Sequence, residues 1–278
     1  MKKEEAFEKL EELQRKKKRM ARARVASGIV LLLLLVVVRR FDNLYLYGIL
    51  FLVLLVCAFA EDYYDKKVWQ PAYQSSMENF KNTYIVPMVS GIDGFSDLSF
   101  DTAGGISWEE LRNTGVVDCA EKELYSSSDL LEGWFRGVWF AVANVTTKRP
   151  KETERGRFSR ERTIFSGRML KFRLPDTFPP CRGRIQFFQQ MFQDISGQLP
   201  GYKIKTGDER FDQEFTVYTE YQDTPAAILT PELRDRFLQL LEAALLQISV
   251  SICNGYMYIA VDWERQFEVD CKISMEEQ

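Results

Sequence analysis

Two uncharged apolar runs dominate the first quarter of the chain, Val25–Val38 and Leu44–Ala60, separated only by Arg39-Arg40-Phe41-Asp42-Asn43. As helices they would measure roughly 21 and 25 Å, close to a hydrocarbon core of about 30 Å. Arg22 and Arg24 can lie along the first run and snorkel, and Tyr45, Tyr47, Tyr63, Tyr64 and Trp69 bracket the second as aromatic belts. The pattern predicts a transmembrane helical hairpin over 25–60. A buried hairpin in a soluble protein and a cleaved signal peptide fit less well: the runs are unbroken, and no small-residue cleavage site follows the first.

Ahead of the hairpin, residues 1–24 form a charged helical segment in which Phe7, Leu10 and Leu13 recur at helical spacing. That stripe suits a helix lying on a membrane surface, a short coiled-coil contact or a solvated extension of the first span. Residues 61–95 predict a juxtamembrane helical arm interrupted at Pro71 and Pro87.

Beyond residue 95 the periodicity becomes that of an α+β domain over 96–278, with antiparallel strands and helices packed on one face. Ser90 to Gly105 reads as loop. Ser107-Trp108-Glu109-Glu110 has capping-box spacing, and Gly115 stops a helix over 108–114. Strands are predicted at Gly133–Val145, Thr163–Arg173, Gly183–Phe192 and Phe215–Glu220. The charged stretch Thr146–Glu161 reads as a long hairpin loop. Thr230-Pro231-Glu232 opens a helix with an apolar stripe from Leu233 to Leu245. Asn254-Gly255 joins two strands, Ile248–Cys253 and Tyr256–Val261, as a hairpin with a type I′ turn.

Charge changes the picture. Residues 1–24 hold ten Lys/Arg against five Asp/Glu, and the apolar runs with their connector add +1. A whole-chain net charge of −3 therefore leaves −9 on residues 61–278. The basic cluster Lys16, Lys17, Lys18, Arg19, Arg22 and Arg24 predicts contact with anionic headgroups and a cytoplasmic N-terminus. Two crossings then return the C-terminal domain to the cytoplasmic side of a cell membrane. An acidic body argues against nucleic acid as a partner. Five scattered cysteines with no C-x-x-C read as reduced thiols.

Candidate chemistry is sparse. The chain contains no histidine, which removes His-based triads and the commonest metal ligand. No phosphate-binding glycine loop occurs, and no cofactor or metal site is predicted. Carboxylates remain at Asp129, Glu132, Asp208, Glu209, Asp212, Glu214, Glu220 and Asp223. Asp208, Asp212 and Asp223 could meet around a divalent cation, although surface or capping roles suit them better. In Asp208–Tyr218, Asp208 caps a helical turn, Phe211 and Phe215 share one face of it, and a strand starts at Thr216.

These residues also carry a resemblance. The order D-x-x-F-x-x-x-F-x-V-Y (Asp208, Phe211, Phe215, Val217, Tyr218) is followed by Ile228-Leu229-Thr230-Pro231. Asn254-Gly255-Tyr256-Met257-Tyr258-Ile259-Ala260 and Phe267-Glu268 come next. With Asp129-Leu130-Leu131-Glu132-Gly133 and Phe165-Ser166-Gly167 upstream, the chain resembles the bacterial membrane proteins of domain-of-unknown-function family 3137. The resemblance implies paired N-terminal spans and no established activity. The reading that follows is a membrane-anchored interaction module binding a protein or lipid partner at the inner leaflet. The alternatives are a carboxylate- or metal-dependent hydrolase at the membrane surface and a self-associating structural subunit of a membrane complex.

Overall fold

A computed structural model describes residues 8–22, 62–119, 121–150, 161–189, 199–244 and 247–262, with isolated positions between them. The chain divides into two compact units, residues 1–85 with 269–278, and residues 86–268.

In the first unit, helix α1 (residues 8–22) packs on the N-terminal part of helix α2 (Gln70–Ser90). Leu10 is fully buried against Phe80, with Tyr73, Met77 and Tyr84 around them. The indole N–H of Trp69 donates to the Leu13 carbonyl at 3.1 Å, and Gln14 donates to the Tyr73 hydroxyl at 3.2 Å. The Lys17 ammonium sits 3.6 Å from the Trp69 ring centroid. Leu10 therefore makes a helix-on-helix contact with α2 inside this unit; Phe7 lies outside the described residues. Pro71 falls at the start of α2, directly after a π-helical turn at Asp65–Trp69. A proline there needs no N–H bond to the preceding turn, so the helix continues instead of breaking.

The second unit is built on one nine-stranded sheet in the order β1-β2-β3-β4-β9-β8-β5-β7-β6, with every neighbouring pair antiparallel. The strands are β1 (Phe95–Asp101), β2 (Tyr125–Phe135), β3 (Val138–Pro150), β4 (Glu161–Arg173), β5 (Ile185–Gln189), β6 (Tyr202–Ile204), β7 (Phe215–Thr219), β8 (Gln247–Cys253) and β9 (Tyr256–Asp262). Side chains alternate between two cores, as strand geometry requires. Ala143, Val145, Met169, Tyr258 and Ala260 join Leu111, Val116 and Val117 on one face. Phe187, Val217, Ile248, Val250, Ile252 and Ile259 join Phe211, Ile228, Leu229, Phe237 and Leu238 on the other. The first face carries helix α3 (Trp108–Thr114); the second carries α4 (Glu209–Glu214), α5 (Thr224–Ile228) and α6 (Pro231–Ala244).

The predicted fold class is thus corrected on two points. Helices cover both faces of the sheet, because the buried strands are apolar on both sides. Among the described residues no helix is long and apolar enough to cross a membrane, so the expected transmembrane hairpin is not among the described elements. The longest described helix, α2, interleaves polar residues such as Gln74, Glu78, Asn79 and Lys81 with its apolar ones. The apolar runs at 25–60 lie largely outside the described residues.

Smaller corrections follow from pairing. The predicted strand Gly133–Val145 is two strands joined by Arg136 and Gly137, both at positive φ (49° and 82°). The predicted loop at 90–105 contains edge strand β1, whose Asp97 and Asp101 disguise it. The loop expected at Thr146–Glu161 is shorter, since β3 and β4 pair out to Pro150 opposite Glu161 and Lys148 bonds Glu161 at 2.8 Å. Helix α3 forms where the pattern places it, with the Ser107 hydroxyl accepting from Glu110 N–H and Gly115 at φ 63°.

Candidate functional site

Helix α3 and the four residues after it lie across one row of inward-facing positions on the sheet. Read across the strands, that row is Glu132, Ala141, Lys171, Tyr258, Ser251 and Gln186. The Tyr258 hydroxyl donates to Glu110 Oε1 at 2.8 Å, and Lys171 Nζ pairs with the same oxygen at 2.5 Å. Ser251 donates to the Thr114 carbonyl at 2.8 Å, and Gln186 Nε2 donates to the Gly115 carbonyl at 2.7 Å. Short side chains on β8 let the α3 segment approach the sheet, and its C-terminal carbonyls find donors there. Burial and the neighbouring Glu110 carboxylate both push the Tyr258 phenol up in pKa, so it stays protonated and donating. The Lys171 ammonium also faces the rings of Tyr256 at 4.4 Å and Trp139 at 5.5 Å.

The neighbouring row lies one pair of residues nearer the strand ends and is only partly covered by α3. It comprises Trp134, Trp139, Arg173, Tyr256, Cys253, Arg184 and Glu220, contributed by β2, β3, β4, β9, β8, the residue before β5 and the residue after β7. Trp134 is 38% exposed; Arg173 and Glu220 are exposed, while Trp139, Tyr256 and Arg184 are half-buried. The rings of Trp139 and Tyr256 meet edge to face at 6.3 Å. Arg184 donates to the Asn113 carbonyl at 3.3 Å. Cys253 is buried, and burial raises its pKa, which keeps it a thiol and a poor nucleophile. The row offers planar rings and guanidinium groups on a rigid sheet, a surface for binding more than for bond chemistry.

The sequence-derived motif residues have a different role. Asp208 caps α4 by accepting from Phe211 N–H at 3.3 Å, and its other oxygen lies 3.5 Å from Arg234 of α6. Asp212 accepts from both the N–H and the hydroxyl of Thr206 at 3.0 Å. Phe211 and Phe215 stack at 4.7 Å, and Val217 and Leu229 are buried with them. Thr230 caps α6 by accepting from Leu233 N–H at 3.3 Å, with Pro231 as its first residue. Tyr218 points to the other face and stacks on Phe188 at 5.9 Å. Asn254 (φ 52°) and Gly255 (φ 77°) make the β8–β9 turn. These residues hold helices to the sheet and set its register.

The carboxylates follow the same logic. Asp129 is buried at a β2 irregularity, with φ 58°, and accepts from Asn144 Nδ2 at 2.9 Å. Glu209, Glu214, Glu220 and Asp223 are exposed. Among the described residues no group of three or more Cys, Asp and Glu side chains could hold a metal ion.

On α1, Lys16 pairs with Glu12 at 2.8 Å and Lys17 is taken up by Trp69. Lys18, Arg19 and Arg22 are exposed, and Arg24 lies outside the described residues. Sequence reading missed Trp134, Trp139, Lys171, Arg173 and Tyr256, because their alignment depends on register between strands distant in sequence.

A family model described as a protein of unknown function (DUF3137) matches residues 163–277. The match runs from β4 through β9 and supports the resemblance for that part of the chain; the Asp129–Gly133 motif precedes it. No curated protein and no solved structure matches.

Proposed function

We propose that this chain is an interaction module that works at an anionic membrane surface, on the cytoplasmic leaflet, by contacting lipid through its first unit. One observation carries the proposal. Leu52, Val56, Phe59 and Tyr63 stand three to four residues apart in helical conformation, and each is at least 60% exposed. Exposed apolar side chains at helical spacing call for an apolar partner. In the same unit α1 exposes Lys18, Arg19 and Arg22, the complement to anionic headgroups. Each such cation near a charged leaflet contributes about 1 kcal/mol.

The test is flotation of the full chain with phosphatidylglycerol-containing or pure phosphatidylcholine vesicles. Association with the anionic vesicles is expected, falling with salt. The triple change Lys18→Glu, Arg19→Glu, Arg22→Glu is expected to weaken it on the order of a hundredfold. A chain that stays unbound to anionic vesicles contradicts the proposal.

A further inference from the structure

We propose that the α1–α2 pair meets the anionic leaflet end-on. The end that carries Lys18, Arg19, Arg22 and Asp62–Val68 lies in the headgroup layer, and the Leu10–Phe80 end is held away from it. This rests on the lipid-contact reading above and gives that contact an orientation and further residues, among them Tyr63, Tyr64 and Lys67.

Contacts within the unit set the direction of the two helices. Leu10 meets Phe80, Gln14 meets Tyr73, and both Leu13 and Lys17 meet Trp69. The Lys17 ammonium also lies 4.0 Å from Asp65. Positions rise along α1 as they fall along the facing helix, so the pair is antiparallel. Lys18, Arg19 and Arg22, which follow Lys17, therefore stand at the end where Asp62–Trp69 leads into α2.

The two ends differ in charge and in polarity. Residues 15–22 and 62–73 hold eight Lys/Arg against two Asp/Glu, a net +6. Residues 8–14 and 74–85 hold two against four, a net −2. Only the first end is attracted to an anionic leaflet. Tyr63, Tyr64 and Val68 are exposed there, whereas no large hydrophobic residue of 8–22 or 70–85 is. A helix that lies flat on a bilayer needs an apolar stripe along its length. Neither helix keeps one, since Leu10 and Phe80 face each other, and flat contact would press residues such as Gln74, Glu78 and Asn79 toward the acyl chains. End-on contact puts tyrosine rings and lysine stems at the depth that suits an apolar body with a polar tip.

Two measurements on the full chain with phosphatidylglycerol-containing vesicles test this. Lys67→Glu and Lys9→Glu make the same charge change at opposite ends, both at exposed positions. Lys67→Glu is expected to weaken association about fivefold, and Lys9→Glu to leave it within about twofold. A fluorophore is also attached at Val68→Cys or Asn82→Cys, in a chain whose own cysteines are alanine; at helical rise the two positions are roughly 21 Å apart. Lipids bearing nitroxide at the headgroup are expected to quench the label at position 68 and to spare the one at position 82. Indifference to Lys67→Glu, an equal loss from Lys9→Glu, or equal quenching at both positions overturns the end-on orientation and leaves lipid contact standing. Failure of the unaltered chain to associate with these vesicles overturns both.

Discussion

Truncating Phe187 to alanine is expected to destabilise the sheet domain by about 3–5 kcal/mol. Phe187 sits fully buried on β5, between β8 and β7, with the rings of Phe237, Phe215 and Phe211 at 4.9, 5.5 and 5.7 Å. Those three rings belong to α6, to the start of β7 and to α4, so one side chain joins two helices to the sheet. Removing it deletes contacts on every side and leaves a cavity that the flanking strands cannot close. Domains of this size are stable by about 5–15 kcal/mol in total, so the loss is a large fraction. Urea unfolding followed by circular dichroism reads it as a lower midpoint. A shift corresponding to less than about 1 kcal/mol would mean that this ring cluster is not the centre of its core.

Replacing Gly167 with valine is expected to be at least as damaging, by a different route. Gly167 on β4 pairs with Asp262 on β9, and any Cβ there would overlap the Val261 carbonyl oxygen and the Phe165 ring. The β4–β9 pairing joins the β1–β4 meander to the remaining five strands. A side chain wedged into that seam costs about 3 kcal/mol or more, and the strain falls on the ladder that connects the two halves among the described residues. Native-state hydrogen exchange should show the amides of β4 and β9 losing protection first. Protection equal to that of the unaltered chain would contradict this close approach.

Local chemistry was readable from the sequence, and long-range register was not. Ser107 with Gly115, Thr230 with Pro231, and Asn254 with Gly255 each fix a cap or turn through their own backbone demands, and each forms as the residues suggest. The Asp208–Tyr218 pattern likewise proved to be a cap, two stacked rings and a strand. Arg136-Gly137 escaped notice because arginine is an unusual residue at positive φ, so two strands read as one. Edge strand β1 escaped because edge strands tolerate charges that would exclude a central strand. The Leu10–Leu13 stripe was visible, but its partner on α2 lies some sixty residues away. The row from Trp134 to Glu220 draws on seven segments, and nothing local in any one of them signals the others.

The proposed lipid contact of Leu52, Val56, Phe59 and Tyr63 is tested most directly at Cys57, a free, exposed thiol between Val56 and Phe59. A polarity-sensitive fluorophore is attached there in a chain whose Cys119, Cys181, Cys253 and Cys271 are alanine. With phosphatidylglycerol-containing vesicles its emission should shift to the blue and be quenched by lipids bearing nitroxide in the acyl chain. Emission that stays water-like and unquenched at saturating vesicle concentration would show that this face does not meet lipid.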